Sequence, residues 1–203
     1  MDSREKILAA VQANQPITVV LPDISIFETA SKGSLLKFAS ALKGVGGEIS
    51  YVSGYEEILR LVLALHGENV RIVSPVAGLM KLCSDNLIGT TSAHDLQNVE
   101  VAILNAHFGV AENGAVWITE PDMYYRALPF ITQHLAVIIN ADALVPTMHQ
   151  AYEFISKTTY NFGAFIAGPS KTADIEQSLV VGAHGPRSMM VFILNNNKLG
   201  GQD

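Results

Sequence analysis

The chain has 203 residues, of which 49% are hydrophobic and 16% charged, with a formal net charge of −6. This length and apolar content are enough for one buried core, and we expect a single domain over residues 1–203. The low charged fraction favours strands buried on both faces, as in an α/β sheet. Lys and Arg are few and dispersed, so we predict no surface for a nucleic-acid backbone and no nucleic-acid partner.

The first 15 residues predict an amphipathic helix rather than an export signal, because their apolar stretch ends at Gln12. No apolar run approaches the ~20 residues that span a bilayer, so we expect no membrane span and a cytoplasmic location. The polar residues 195–203 predict a flexible tail. Cys83 is the only cysteine, which argues against an internal disulfide and against an iron–sulfur cluster held within one chain.

Apolar periodicity predicts three further helices, over 35–42, 55–65 and 148–155. Short apolar runs bounded by Gly, Pro or Asn predict buried strands, and these runs are 49–52, 70–73, 99–104, 115–119, 135–139, 165–167 and 189–194. Because the strands alternate with helices, we expect βαβ crossovers. The predicted fold is therefore α/β, with a Rossmann-like, mainly parallel sheet and helices on both faces.

The most informative stretch is residues 168–176, which read Gly-Pro-Ser-Lys-Thr-Ala-Asp-Ile-Glu and follow the strand predicted at 165–167. We predict a helix that begins here, at the carboxyl end of a strand, where free N–H groups can bind an anion. The candidate ligand-binding residues are Gly168, Ser170, Thr172, Asp174 and Glu176. Hydroxyl caps and early acids are also ordinary at helix starts, so a purely structural role stays open.

The same helix is predicted to end at His184-Gly185-Pro186-Arg187, because glycine accepts the left-handed terminal conformation and proline stops the helix. His184 is a candidate catalytic residue and Gly185 a candidate ligand-binding residue. The alternative is that His184 only stabilises the carboxyl end of the helix.

A third candidate is the turn Glu112-Asn113-Gly114 between two apolar strands. Glu112 could act as a nucleophile or base if it is partly buried. Asn and Gly also occur in turns simply because they tolerate positive φ. The six histidines lack metal-ligand spacing, and the chain lacks G-x-G-x-x-G and G-K-[ST] motifs, so we predict no metal and no cofactor.

Residues 168–194 resemble the LUD-domain family, in which G-P-S-x-T-A-D-I-E is followed by L-V-x-G-x-H-G-P. Residues 109–114 are similar to the family's A-E-T-G turn, with Asn113 in place of the usual Thr. Residues 126–129 and 134–137 are similar to its R-x-L-L-P and H-I-x-V-V patterns, although Tyr124 and Tyr125 crowd the approach to Arg126. The resemblance covers roughly residues 99–194.

The resemblance implies a fold related to sugar-phosphate isomerases and coenzyme A transferases. For family members of the lactate utilisation protein C type, it implies a component of L-lactate oxidation to pyruvate. This component would act with iron–sulfur partner proteins and bind a small anionic ligand, with Arg126 as the pairing charge.

Two alternatives remain open. In the related coenzyme A transferases the glutamate of an E-N-G turn attacks the acyl thioester, which would make Glu112 a nucleophile and the chain a transferase. The other possibility is a scaffold for the iron–sulfur partners, with the conspicuous loops as contact surface. For a single site, we expect Glu112, Arg126, Asp174 and His184 to share one cleft at the carboxyl ends of the strands.

Overall fold

The computed structural model describes residues 2–27, 32–80, 82–83, 92–175 and 178–195. The helices are α1 Ser3–Ala13, α2 Leu35–Gly44, α3 Tyr55–His66, α4 Glu120–Met123, α5 Leu128–Ile131 and α6 Met148–Ser156. The strands are β1 Glu48–Val52, β2 Ile72–Val73, β3 Val101–Asn105, β4 Phe108–Val110, β5 Val116–Thr119, β6 His134–Asn140, β7 Leu144–Val145, β8 Gly163–Ile166, β9 Lys171–Ile175, β10 Ser178–Val181 and β11 Ser188–Leu194.

The central sheet is parallel and has the strand order β1-β11-β6-β3-β2. The predicted α/β fold with a mainly parallel sheet is therefore confirmed. A second sheet, in the order β7-β4-β5-β8, pairs β5 antiparallel to both of its neighbours. The sequence did not predict this sheet, because β4 and β7 contain only three and two residues and are too short for a recognisable alternation.

Alternate residues of β6 face two different cores, as the period of two in a strand requires. Leu135, Val137 and Ile139 pack in one cluster with residues of α2 and β5. Ala136 and Ile138 pack on the opposite side with residues of α3. The central sheet is thus covered by α3 on one face, and by α2 together with the second sheet on the other.

The second sheet also has two covered faces. Val116 and Ile118 of β5 belong to the core beneath the central sheet. Trp117, between them, packs with Phe108 and with Ile155 of α6 on the opposite face. The layers therefore run from α3 through the central sheet and the second sheet to α6.

Helix α2 shows how the sequence places one of these layers. The Ser34 side chain accepts a hydrogen bond from the backbone N–H of Lys37 and caps the first turn. Phe38 and Leu42 lie four residues apart on one helix face and are fully buried, whereas Leu36 is 80% exposed. The apolar stripe of α2 is therefore its contact with both sheets.

The predicted first helix is observed as α1, which contains no buried residue. Within the described ranges, no helix has both the length and the apolar character needed to cross a bilayer.

Candidate functional site

The helix predicted from residue 168 onward is wrong. Residues 171–175 and 178–181 instead form the antiparallel hairpin β9–β10, and Gly182 follows it with a φ of 82°. The spacing of Ile175, Leu179 and Val180 imitates one helix face, but Thr172, Val180 and Val181 are β-branched residues, which favour strands. The free N–H groups of a helix start, on which the predicted anion site depended, are therefore not formed here.

Several of the predicted ligand-binding residues lie together at the base of this hairpin. The Ser170 N–H donates to the Pro186 carbonyl at 2.8 Å, and the Ser170 carbonyl accepts from Gly182 N–H at 3.0 Å. A Cβ on Gly185 would lie 3.0 Å from the Ser170 Cβ. A Cβ on Gly168, whose φ is 73°, would lie 2.4 Å from the Val45 carbonyl oxygen.

The hairpin base lies near the amino edge of the central sheet, meaning the edge where its parallel strands begin. Pro186 precedes β11 by two residues, and Val45 precedes β1 by three. The expected position at the carboxyl ends of the strands is therefore wrong for Gly168 and Ser170. Thr172 and Asp174 lie on β9, the Asp174 side chain is not described, and Glu176 lies outside the described residues.

Glu112 is exposed and has a structural partner. Its Oε2 accepts a hydrogen bond of 2.8 Å from the backbone N–H of Met148, the first residue of α6. The Asn113 side chain accepts from Ala115 N–H at 3.0 Å, and Gly114 has a φ of 73°. Turn formation and the capping of α6 therefore account for all three residues of this turn.

The two remaining candidates lie in different loops, Arg126 between α4 and α5 and His184 between β10 and β11. Arg126 donates two hydrogen bonds to the Glu120 carboxylate, at 2.6 and 2.9 Å, and lies 5.1 Å from the centre of the Phe162 ring. This contact lowers the pKa of Glu120 and raises that of Arg126. His184 is exposed and follows β10, so it does not stand at a helix terminus as predicted.

A cluster that the sequence did not indicate lies at the carboxyl ends of β3 and β5. His107 Nε2 is 2.9 Å from Thr119 Oγ1 and 2.9 Å from Asp122 Oδ2. The Thr119 hydroxyl donates to the same Asp122 oxygen at 2.7 Å. These mutual hydrogen bonds hold the imidazole against a carboxylate, an arrangement that can orient a histidine for proton transfer.

The His107 cluster lines a cleft of about 760 Å³, which we call the His107 cleft. Its other walls are mostly aromatic and hydroxyl side chains, namely Trp117, Tyr124, Phe154, Thr158, Thr159 and Tyr160. Glu120 also lines it, which places the Arg126–Glu120 pair beside this cleft.

Tyr124, in the wall of this cleft, has a strained backbone. Its φ is 64° and its ψ is −55°, and the N–H of Tyr125 donates to the carbonyl of Met123 at 2.8 Å. This is a three-residue γ-turn of the rare form with positive φ. Such strained residues concentrate at functional sites, where the surrounding structure holds them in place.

We expect Tyr124→Gly to be more stable than Tyr124→Ala by about 1 kcal/mol, because both remove the ring but only glycine adopts positive φ readily. Urea denaturation of the two variants measures the difference. The same pair of substitutions at Tyr125, which lacks positive φ, should instead favour alanine. Equal stabilities of the two Tyr124 variants would contradict the strained turn.

His107 also lines a second, polar pocket of about 300 Å³ at the carboxyl edge of the central sheet. Asn105 and Asn140, the last residues of β3 and β6, line this pocket together with Tyr55. Ligands of open α/β sheets usually bind at this edge. His107 lies two residues after the end of β3, so its position after a buried strand was the one sequence signal that could have identified it.

The comparison with known protein families matches the region of the chain that contains the His107 cleft. A family model described as LUD domain matches residues 79–194, more than half of the chain. The chain belongs to the LUD domain family. The resemblance of its motifs to this family is therefore confirmed. The LUD domain match includes all the residues of the His107 cleft, whereas α1, α2 and α3 precede it.

Several relatives share this LUD domain region. Lactate utilization protein C of Geobacillus kaustophilus is 30% identical over 54% of this chain and 48% of its own length. That of Shouchella clausii is 31% identical over 55% of this chain and 51% of its own length. The chain thus spans about half the length of these two relatives. An uncharacterized protein of Neisseria meningitidis serogroup B is 23% identical over 96% of this chain and 94% of that protein.

A solved structure supports the LUD domain fold. A DUF162 family protein from Deinococcus radiodurans aligns with a TM-score of 0.57, covering 79% of this chain and 95% of that chain, at 16% identity. At this level of identity the likeness establishes the fold alone.

Proposed function

We propose that this LUD domain chain serves in lactate utilisation, and that its ligand site is the His107 cleft rather than the hairpin base. The relatives named lactate utilization protein C support the first part. The hydrogen-bonded cluster of His107, Thr119 and Asp122 at the wall of a large cleft carries the second part.

The chemistry of the cluster suits a small 2-hydroxy acid. Oxidation of L-lactate to pyruvate releases two electrons and two protons, one of which comes from the hydroxyl group. A His107 imidazole oriented by Asp122 can accept that hydroxyl proton, and Asp122 stabilises the resulting positive charge. The C2–H bond would break as well, with its proton released to solvent and the two electrons passing to iron–sulfur partner proteins, as the sequence resemblance implies.

The charges around the cleft are compatible with an anionic ligand. Its two carboxylates each have a cationic or potentially cationic partner, because Glu120 is paired with Arg126 and Asp122 with His107. A ligand carboxylate therefore meets a nearby guanidinium, and each of the two protein carboxylates is already held by its partner.

The only tryptophan of the chain, Trp117, lines the cleft, so its fluorescence can report binding directly. We expect a saturable change on titration with L-lactate, and an affinity at least about tenfold weaker in His107→Ala, the usual effect of losing a charged hydrogen bond. His94→Ala, an exposed histidine outside the cleft, is the matched control. Binding of equal strength in His107→Ala would contradict the proposed site.

The role in lactate oxidation needs the partner proteins. Reconstitution with the iron–sulfur proteins should give L-lactate-dependent electron transfer that falls at least about 100-fold in His107→Ala, as expected for a general base. Transfer that is independent of His107, with the chain still required, would favour the scaffold alternative instead.

The transferase alternative is less well supported, because the Glu112 carboxylate already accepts the Met148 N–H. Incubation with an acyl-coenzyme A and measurement of the intact mass tests it. An adduct that is lost in Glu112→Gln would favour a covalent transferase over the proposed function.

A further inference from the structure

A separate cavity of about 130 Å³ lies at the amino edge of the central sheet, where β6 and β11 begin. His134 and Ser188, the first residues of these strands, line it together with His66 at the end of α3. The remaining wall is mainly apolar and includes Val62, Leu65, Met189 and Phe192. The cavity is therefore an apolar pocket with polar groups at one side, as small-molecule sites usually are.

Two stacked imidazoles supply most of the polar side. The ring centroids of His66 and His134 are 4.2 Å apart, with an interplanar angle of 37°. His134 Nδ1 is 2.7 Å from Ser188 Oγ, and His134 Nε2 is 3.7 Å from Glu100 Oε1. Within the described part of the chain, the His66 ring makes no hydrogen bond and so has a free donor and a free acceptor for a ligand.

The charges around the cavity favour an uncharged ligand. Burial lowers the pKa of both His66 and His134, so the two stacked rings are neutral near pH 7. A ligand carboxylate would face Glu48, in the cavity wall, and Glu100. Arg187 lies close enough to His134 to oppose its protonation, so the charges at this side of the cavity are of mixed sign.

We propose that this cavity binds a small uncharged molecule that has a mostly apolar body and one hydroxyl group. The hydroxyl pairs with the His66 ring, and the apolar body fills the space between α3 and the strands. The volume is close to the ~150 Å³ of cavities that take benzene, so the ligand has about seven non-hydrogen atoms. The site is at the amino edge of the central sheet, opposite the polar pocket that His107 lines at the carboxyl edge, and it does not depend on the proposed function.

Phenol is the probe of choice, with benzene and benzoate as its apolar and charged counterparts. Met190 lines the cavity and packs on the α3 side of the sheet, so methyl NMR of the ¹³C-methionine-labelled full chain reports occupancy. We expect a saturable shift of the Met190 methyl signal with phenol, and binding about tenfold weaker for benzene and for benzoate, which lack a favourable hydrogen bond or carry an opposed charge. Absence of shifts with phenol, or equal binding of all three probes, would overturn the proposal.

Two variants locate the site. His66→Phe keeps a ring but removes the hydrogen bond, and should weaken phenol binding about tenfold, whereas His94→Phe should leave it unchanged. Ala136→Val adds volume in the cavity wall and should abolish the phenol shifts in a chain that remains folded. Phenol binding that survives Ala136→Val, or that is lost in His107→Ala, would place the probe elsewhere and overturn the assignment.

Discussion

Alanine at position 114 should lower the free energy of unfolding by about 3 kcal/mol or more. Gly114 has a φ of 73°, which an L side chain adopts only with strain. Its added Cβ would also lie 2.5 Å from the Leu42 backbone nitrogen and 2.6 Å from the Leu42 Cα. Since these are backbone atoms of a packed helix, neither partner can move aside cheaply.

Urea denaturation of Gly114→Ala measures this loss, and Gly44→Ala is the matched control. Gly44 ends α2 and has no atom within 4 Å of its Cβ position, so alanine there should leave stability unchanged or raise it by up to about 1 kcal/mol. A Gly114→Ala variant as stable as Gly44→Ala would show that the turn does not pack on α2 in this way.

Phe38→Ala should cost about 3–5 kcal/mol, the range for truncating a buried aromatic residue. Phe38 is fully buried in the core between α2 and the two sheets. A Cβ on Gly109 of β4 would lie only 2.8 Å from the Phe38 ring, which shows how closely the ring fits against that strand. A cavity left here would affect both sheets, because their residues share this core.

Leu36→Ala provides the comparison for this second prediction. Leu36 lies on the same helix but is 80% exposed, so its truncation should change the free energy of unfolding by less than about 0.5 kcal/mol. Thermal or urea unfolding of the two variants gives the contrast. Equal losses would mean that α2 does not present its Phe38 face to the core.

The central sheet could be predicted from sequence because its strands are long, apolar runs separated by periodic helices. The run 135–139, for example, is observed within β6, and the helix around Tyr55 is observed as α3. The hairpin β9–β10 could not be predicted in the same way. Its short strands carry apolar residues at spacings that also fit a helix, and local pattern does not distinguish the two at this length.

The candidate site depended on contacts that no local pattern encodes. His107 and Asp122 are 15 positions apart in sequence, and they meet only because β4 pairs antiparallel with β5. That pairing belongs to the second sheet, which was itself not predicted. The motif at 168–176 predicted a ligand site from its composition. In the structure, Gly168 and Ser170 make close backbone contacts at the hairpin base.

The alternation along β5 has a consequence for how such a protein can diversify. Val116 and Ile118 face the shared core, whereas Trp117 and Thr119 line the cleft. Substitutions at Thr119 can therefore reshape the binding surface while Val116 and Ile118 keep the interior intact. Trp117 serves both the cleft and the core around Phe108 and Ile155, so the cleft can change its chemistry at the strand end more readily than at the strand centre.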